Sequence, residues 1–104
     1  REMAFEAAKT DVESASMAYS FVGNLYMSSF NDCAEHHSQV DDRAVFMAAY
    51  DMFAKAGDNV GMQSAQAQFP TRGQAHTETY EEGETLDVGC WINVKTKLRT
   101  RASN

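Results

Sequence analysis

Residues 86–98 read LDVGCWINVKTKL, and this stretch decides the fold class. Every second residue from Leu86 to Leu98 is apolar or small, and most of the residues between them are polar or charged. Alternation with a period of two is typical of a β-strand that buries one face. The pattern therefore predicts a strand over about 85–98, so that the chain is not entirely helical.

A second, shorter alternation precedes this strand. It covers residues 74–81, and the Glu82-Gly83 dipeptide that follows is typical of a turn. We therefore predict a β-hairpin formed by about 74–81 and 85–98. Because the second strand is the longer one, its residues from Lys95 onward are predicted to have no partner within the chain.

The first quarter of the chain has helical periodicity. Apolar and small residues recur at steps of three and four, which predicts a helix over about 2–29. These residues are Phe5, Ala8, Val12, Ala15, Tyr19, Val22 and Tyr26. A second stripe flanks them and consists of Ala4, Ala7, Ala18, Phe21 and Leu25. The C-terminal half of this helix is therefore expected to be buried on two sides, against this chain alone or against a second copy in a coiled coil.

A second helix is predicted over about 40–56. Ser38 or Asp41 provides its N-cap, and Gly57 follows the last periodic residue as a stop signal. Residues 57–73 contain three glycines and the single proline, so we interpret them as a linker between a helical half and a β half. The predicted fold is α+β, with an antiparallel hairpin of the two helices packed on the C-terminal β-hairpin.

Length and charge restrict the classes of function. A chain of 104 residues is expected to form one domain, residues 1–104, with a thin core. The formal net charge of −6 disfavours a general attraction to phosphate backbones or anionic lipid. The most apolar stretch, residues 17–30, is shorter than the roughly 20 residues of a transmembrane helix, so we expect a soluble protein without a membrane span. The sequence does not indicate a compartment.

The charge is unevenly distributed along the chain. All fifteen acidic residues and five of the nine basic residues lie in 1–94, and the other basic residues lie in the last ten positions. These are Lys95, Lys97, Arg99 and Arg101. In an extended strand they share a face with Trp91, at intervals of about 6.6 Å. We predict that this stripe contacts another protein chain, with nucleic-acid contact and a solvated strand edge as alternatives.

Two cysteines and nearby histidines are the candidates for covalent or metal chemistry. Cys33 and Cys90 either form one disulfide, or Cys90 is a small buried hydrophobe on its strand. Cys33, His36 and His37 are of the types that bind zinc, but no second short-spaced pair completes four ligands, so no metal is predicted. They are also the only local candidates for a nucleophile beside a base, and the prediction is neither an enzyme nor a cofactor protein.

The functional prediction is a non-catalytic protein-interaction or structural subunit. It docks through its long C-terminal strand and basic tail, in a homo-oligomer or a larger assembly. Trp91 is the expected anchor, since tryptophan is enriched at binding hot spots. The alternatives are a weak nucleic-acid-binding module that uses the same stripe and a small-ligand-binding domain. The aromatic residues that would line the ligand pocket are Tyr19, Tyr26, Phe46, Tyr50, Phe53 and Trp91.

Overall fold

The computed structural model describes the backbone of residues 2–35 and 38–101 and, within these ranges, the side chains from residue 14 onward. This part of the chain has a mixed helix and sheet fold, as predicted, with five helices and one two-stranded antiparallel hairpin. The elements in chain order are α1 Glu2–Ser28, α2 Phe30–Cys33, α3 Gln39–Ala56, α4 Asn59–Gln66, α5 Arg72–Thr77, β1 Thr85–Val88 and β2 Val94–Lys97. None of the described helices is both long enough and apolar enough to cross a bilayer.

Helix α3 is the centre of the fold. Its N-cap is Ser38, whose hydroxyl oxygen accepts the N–H of Asp41 at 3.0 Å, and Gly57 ends it in the left-handed region at φ 70°. These are the start and stop residues that the sequence pattern indicated. Its buried residues are Val40, Ala44, Val45, Phe46, Met47, Ala48, Ala49 and Phe53. The helix contacts α1, α2, α4, α5 and both strands, and the core forms around it.

A glutamate from a distant part of the chain completes the N-terminus of α3. The carboxylate of Glu78 accepts hydrogen bonds from the hydroxyl of Ser38 and from the N–H groups of Gln39 and Val40, at 2.5, 2.8 and 3.2 Å. Burial alone raises the pKa of Glu78, but these hydrogen bonds outweigh it and hold the pKa below its ordinary value of 4.5. The segment after α5 is thereby bound to the start of α3.

Helix α1 approaches α3 closely at Gly23. A Cβ atom at Gly23 would lie 2.7 Å from the ring of Phe53, so this position requires glycine. The same ring also lies against Gly61 of α4. Just after the end of α1, the ring of Phe30 in α2 stacks on Phe46 of α3, with the ring centroids 4.9 Å apart. Phe53, which is 1% exposed, therefore joins three helices at one point.

The predicted single strand over 85–98 is wrong, because the chain reverses direction within it. Strands β1 and β2 pair with each other, with Leu86 opposite Thr96 and Val88 opposite Val94. The loop between them contains Cys90 and Asn93 at positive φ, 61° and 49°. Even-numbered residues of β1 lie opposite even-numbered residues of β2. In both strands it is therefore the even-numbered side chains that face α3. The alternation therefore continues through the turn and conceals it.

The predicted partner strand over 74–81 is also wrong. Its first half, residues 74–77, belongs to α5, and its second half is not a strand. The start of α5 is a capping box: the hydroxyl of Thr71 accepts the N–H of Gln74, and the side chain of Gln74 accepts the N–H of Thr71. Two reciprocal hydrogen bonds favour a helix more strongly than a short alternation favours a strand. The Glu82-Gly83 dipeptide precedes β1 instead of closing the hairpin.

Residues 57–73, which we interpreted as a linker, contribute to the packing. They contain α4, which begins after the N-cap Asp58 and packs on α3. Ala65 and Phe69 from this range are buried in the same core as Leu86 and Leu98 of the C-terminal segment. The helical and β parts therefore share one hydrophobic core.

Candidate interaction surface

The solvent-facing side of α1 has no charge over its last four turns. Residues 14–28 read SASMAYSFVGNLYMS and contain no Asp, Glu, Lys or Arg. At helical spacing, Met17, Phe21 and Leu25 lie on one side, roughly opposite Gly23, which faces α3. Their relative exposures are 72%, 63% and 39%. Surface helices normally carry charged residues on this side, so the apolar side of α1 is unusual.

Small uncharged residues surround these three side chains. They are Ser14, Ala18, Asn24 and Ser28, all exposed. The hydroxyl of Ser28 donates to the carbonyl of Leu25 at 3.0 Å, which satisfies it within the helix. The sequence predicted a second apolar stripe through Ala18, Phe21 and Leu25, and the structure leaves these three residues exposed. Its upstream members, Ala4 and Ala7, lie outside the described side chains.

Trp91 continues this apolar area at the C-terminal end of α1. It lies in the hairpin loop, and its indole Nε1–H donates to the hydroxyl oxygen of Ser29 at 3.1 Å. Its ring is 5.6 Å from that of Tyr26 and remains 56% exposed. The hydroxyl of Ser29 in turn donates to the backbone carbonyl of Leu25 at 2.7 Å, so the indole is bound to the residue one helical turn after Leu25. We call Met17, Phe21, Leu25 and Trp91 the α1 surface.

A disulfide between Cys33 and Cys90 fixes the loop that carries Trp91. Their Cα atoms are 5.7 Å apart, and the bond ties the end of α2 to the hairpin loop. Of the two alternatives left by the sequence, the structure therefore has the disulfide, and Cys90 is exposed rather than buried. Disulfides persist in oxidising compartments. In this bonded form neither sulfur is a thiolate, which nucleophilic attack and zinc binding both require.

The metal and catalytic candidates do not assemble in the described part of the chain. His36 and His37 lie outside the described residues. Among the described residues, no group of three His, Cys, Asp or Glu side chains is arranged to hold a metal ion. His76, the third histidine of the chain, is exposed on α5.

The two lysines of the predicted basic stripe are bound across the hairpin. Lys95 lies opposite Asp87 and pairs with it at 2.5 Å, and Lys97 lies opposite Thr85 and donates to its hydroxyl oxygen at 2.8 Å. The side chains of Lys95 and Asp87 are 73% and 77% exposed, so water screens their attraction. Trp91, predicted to share a face with these lysines, lies instead in the loop beside α1.

Arg99 binds the C-terminal segment to α3. Its guanidinium forms an ion pair with Asp51 at 2.7 Å, and both side chains are about one-third exposed, at 33% and 30%. The other carboxylate oxygen of Asp51 accepts the hydroxyl of Thr96 at 2.6 Å. The guanidinium also lies 5.0 Å from the centre of the Tyr50 ring. This cation thus takes part in packing within the chain.

The segment after β2 also has partners within the chain, which contradicts the prediction that residues beyond Lys95 have none. The N–H of Leu98 donates to the carbonyl of Glu84 at 2.8 Å. The backbone N–H of Arg101 donates to Pro70, and its side-chain Nε–H donates to Phe69, at 3.0 and 2.7 Å. The prediction failed because it treated 85–98 as one strand paired with 74–81, whereas the chain reverses between β1 and β2 and residues 74–77 are helical.

A cleft of about 480 Å³ beside the disulfide is lined by acidic residues. They are Glu35, Asp41, Asp42, Glu84 and Asp87. Asp41 accepts the hydroxyl of Tyr80 at 2.8 Å; this hydrogen bond, with burial and nearby negative charge, raises the pKa of Tyr80 to about 12. Asp42 accepts the N–H of Glu35, and Glu84 accepts that of Glu81. These carboxylates therefore connect neighbouring segments of the chain.

The six aromatic residues of the small-ligand alternative are divided between the core and the surface. Tyr26, Phe46 and Phe53 are buried in the core, and Tyr50 packs against it. Tyr19 and Trp91 are exposed. None of the six lines the acidic cleft or the smaller cleft between α3 and α5.

The absence of charged residues from 14–28 is the sequence signal from which the exposed area could have been located. We interpreted the second apolar stripe as evidence of burial, but within the described part of the chain Phe21 is 63% exposed. Comparison with protein-family models, with curated proteins and with solved structures finds no match to the chain.

Proposed function

We propose that this chain is a non-catalytic protein-interaction subunit that docks through the α1 surface. The observation that carries the proposal is the exposure of Met17, Phe21 and Leu25 at four-residue spacing on a part of α1, residues 14–28, that contains no charged side chain. Single exposed apolar residues are ordinary, but a contiguous group with a half-exposed tryptophan at its end is typical of an interaction site. Burying a side chain such as phenylalanine or methionine contributes roughly 1.5–3 kcal/mol.

The proposal includes the predicted arrangement of α1 and α3 as an antiparallel hairpin within a single domain. Contacts between the two helices support it. Gly23 lies against Phe53, and the ammonium of Lys55 lies over the ring of Tyr19. Just beyond the end of α1, Phe30 of α2 lies against Phe46. The residue numbers fall along α1 as they rise along α3. An α1 held in this way presents Met17, Phe21 and Leu25 to solvent on its opposite side.

Docking through the strand and basic tail, the form of this function that the sequence favoured, has less support. Lys95, Lys97, Arg99 and Arg101 all have hydrogen-bond partners within the chain. A partner would have to compete with these contacts, and the same holds for nucleic acid. Of the predicted interaction residues, we therefore retain Trp91 as an anchor.

Site-specific photo-crosslinking in the cells that produce the protein tests this proposal. The photoreactive residue p-benzoylphenylalanine replaces Phe21 in one variant and Lys97 in a second, and a third carries it at the exposed Glu82 as the control. We expect a crosslinked product from position 21 and none from position 82. A product from position 97 alone would favour docking through the tail, and no product from position 21 would contradict the proposed function.

A further inference from the structure

We infer that the α1 surface is occupied by a second copy of this chain, with α1 of one copy packed antiparallel against α1 of the other. This inference rests on the proposed function and names its partner. It predicts a symmetric dimer in which the same surface of both copies is buried.

The distribution of charge in the chain favours a second copy of the chain, and not a charged partner, as the occupant of the α1 surface. Each chain carries a formal net charge of −6, so two copies repel each other at most orientations. Residues 14–28 contain no charged side chain, so a contact made by this face brings no acids together. A partner that relied on charge complementarity would find no group to pair with here. Interfaces between identical subunits are typically more apolar than the rest of the surface.

The pattern of residue sizes on α1 is self-complementary about Phe21. If a two-fold axis passes near Phe21, antiparallel helices place Met17 of one copy opposite Leu25 of the other. The same operation places Ser14 opposite Ser28 and Ala18 opposite Asn24. Large side chains then lie in the centre of the contact, with small ones beside them that allow close approach. Antiparallel helices also bring opposite ends of their dipoles together.

The exposed area sets the expected strength of the dimer. From their exposures of 72%, 63%, 39% and 56%, the side chains of Met17, Phe21, Leu25 and Trp91 offer roughly 400 Å² per copy. The small residues between them add to this area. The total is near the lower end of what specific protein interfaces bury. We therefore expect a dissociation constant on the order of micromolar, and a monomer-dimer equilibrium that depends on concentration.

Salt distinguishes this dimer from association through the tail. Added salt screens the repulsion between two acidic chains but leaves an apolar contact largely unchanged, so the α1 dimer should strengthen. Association in which the basic residues of 95–101 bind an acidic surface of another copy would weaken as salt is added. The direction of the salt effect therefore reports which surface is used.

Sedimentation velocity of the disulfide-bonded protein tests the inference. We expect wild type to pass from monomer to dimer between about 5 and 500 µM, with the midpoint at lower concentration in higher salt. Phe21→Glu should raise the dissociation constant more than tenfold, because two carboxylates would meet at the axis. The matched control is Gln66→Glu, which adds the same charge at an exposed position of α4 and should leave the dimer unchanged. Circular dichroism checks that both variants fold.

A second variant tests the symmetry. Because the two copies of residue 21 lie opposite each other, Phe21→Cys should form a covalent dimer under mild oxidation much faster than Gln66→Cys. A wild-type chain that stays monomeric at 500 µM in all salt conditions, or equal crosslinking of the two cysteine variants, would overturn the inference. The proposed function fails separately, since a photo-crosslink from position 21 to a different protein would support it without self-association.

Discussion

The C-terminal segment 94–101 and the solvent-facing side of α1 make opposite use of their side chains. The segment is rich in cations, and its Lys95, Lys97, Arg99 and Arg101 bond within the chain. The side of α1 has no charge and exposes Met17, Phe21 and Leu25 to water. The cluster of basic residues in the sequence therefore did not indicate a surface that is free to bind a partner. The lack of charge on an exposed helix indicates the free surface better.

Loss of the disulfide should have the largest effect on this comparison, because the bond holds the Trp91 loop beside α1. The bond closes a loop with a sequence separation of 57, for which chain entropy predicts about 4 kcal/mol of stabilisation. We expect the double variant Cys33→Ser/Cys90→Ser to lower the free energy of unfolding by that order in urea denaturation. Its stability should not respond to reductant, whereas reduced wild type should match it. An unchanged midpoint would contradict the structural role of the bond.

Replacement of Arg99 tests whether the tail is structural. Arg99→Ala leaves Asp51, about one-third exposed, without its ion pair, so we expect a loss of about 1–2 kcal/mol in urea denaturation. Arg99→Lys should restore part of the loss. Phe21→Ser, measured where the protein is monomeric, should change stability by less than about 0.5 kcal/mol. If Arg99→Ala were also neutral, the contrast between the two regions would be lost.

Glu78 is expected to give the next smaller effect. It completes the N-terminus of α3, the helix that both α1 and β2 contact. Its pKa in the folded chain is below 4.5, so the charged form is stabilised above that pH and the stabilisation is lost as pH falls through the folded pKa. Glu78→Gln should cost about 1 kcal/mol at pH 7 and less at pH 3. Urea denaturation at both pH values measures this. A cost that grows on acidification would show that Glu78 caps α3 in its protonated form.

The smallest effect is expected at Lys95. Lys95→Ala removes an ion pair whose partners are 73% and 77% exposed, so stability should change by less than about 0.5 kcal/mol. The same variant should leave the salt dependence of self-association unchanged. If Lys95→Ala weakened the dimer, that result would indicate that the chain docks through its basic tail and not through the α1 surface.

The parts of the fold that could be predicted are those with local signals. The α3 boundaries follow from Ser38 and Gly57, which act within one turn of the helix. The hairpin was misplaced because a period of two does not mark where a chain reverses when both strands turn the same parity inward. The ion pair between Arg99 and Asp51 joins residues 48 positions apart in the sequence, and no local sequence pattern predicts such a pair.

The candidate site was predicted only in part, for the same reason. Phe21 and Leu25 belonged to the second apolar stripe that we identified, and Trp91 was expected to be an anchor. The sequence alone does not tell whether such a stripe is covered by its own chain. Nor could it place Trp91 beside Ser29, because the contact depends on the disulfide and on the shape of the hairpin loop.

The disulfide also determines how the molecule responds to proteolysis. Helices α3, α4 and α5 and strand β1 all lie between the two joined cysteines, whereas α1 lies before them. A single cut anywhere between Cys33 and Cys90 leaves two fragments that remain covalently attached and migrate as one species until reductant is added. A cut near Ser29 lies before both cysteines, so the disulfide would not retain the N-terminal fragment. That cut would release α1 with Met17, Phe21 and Leu25.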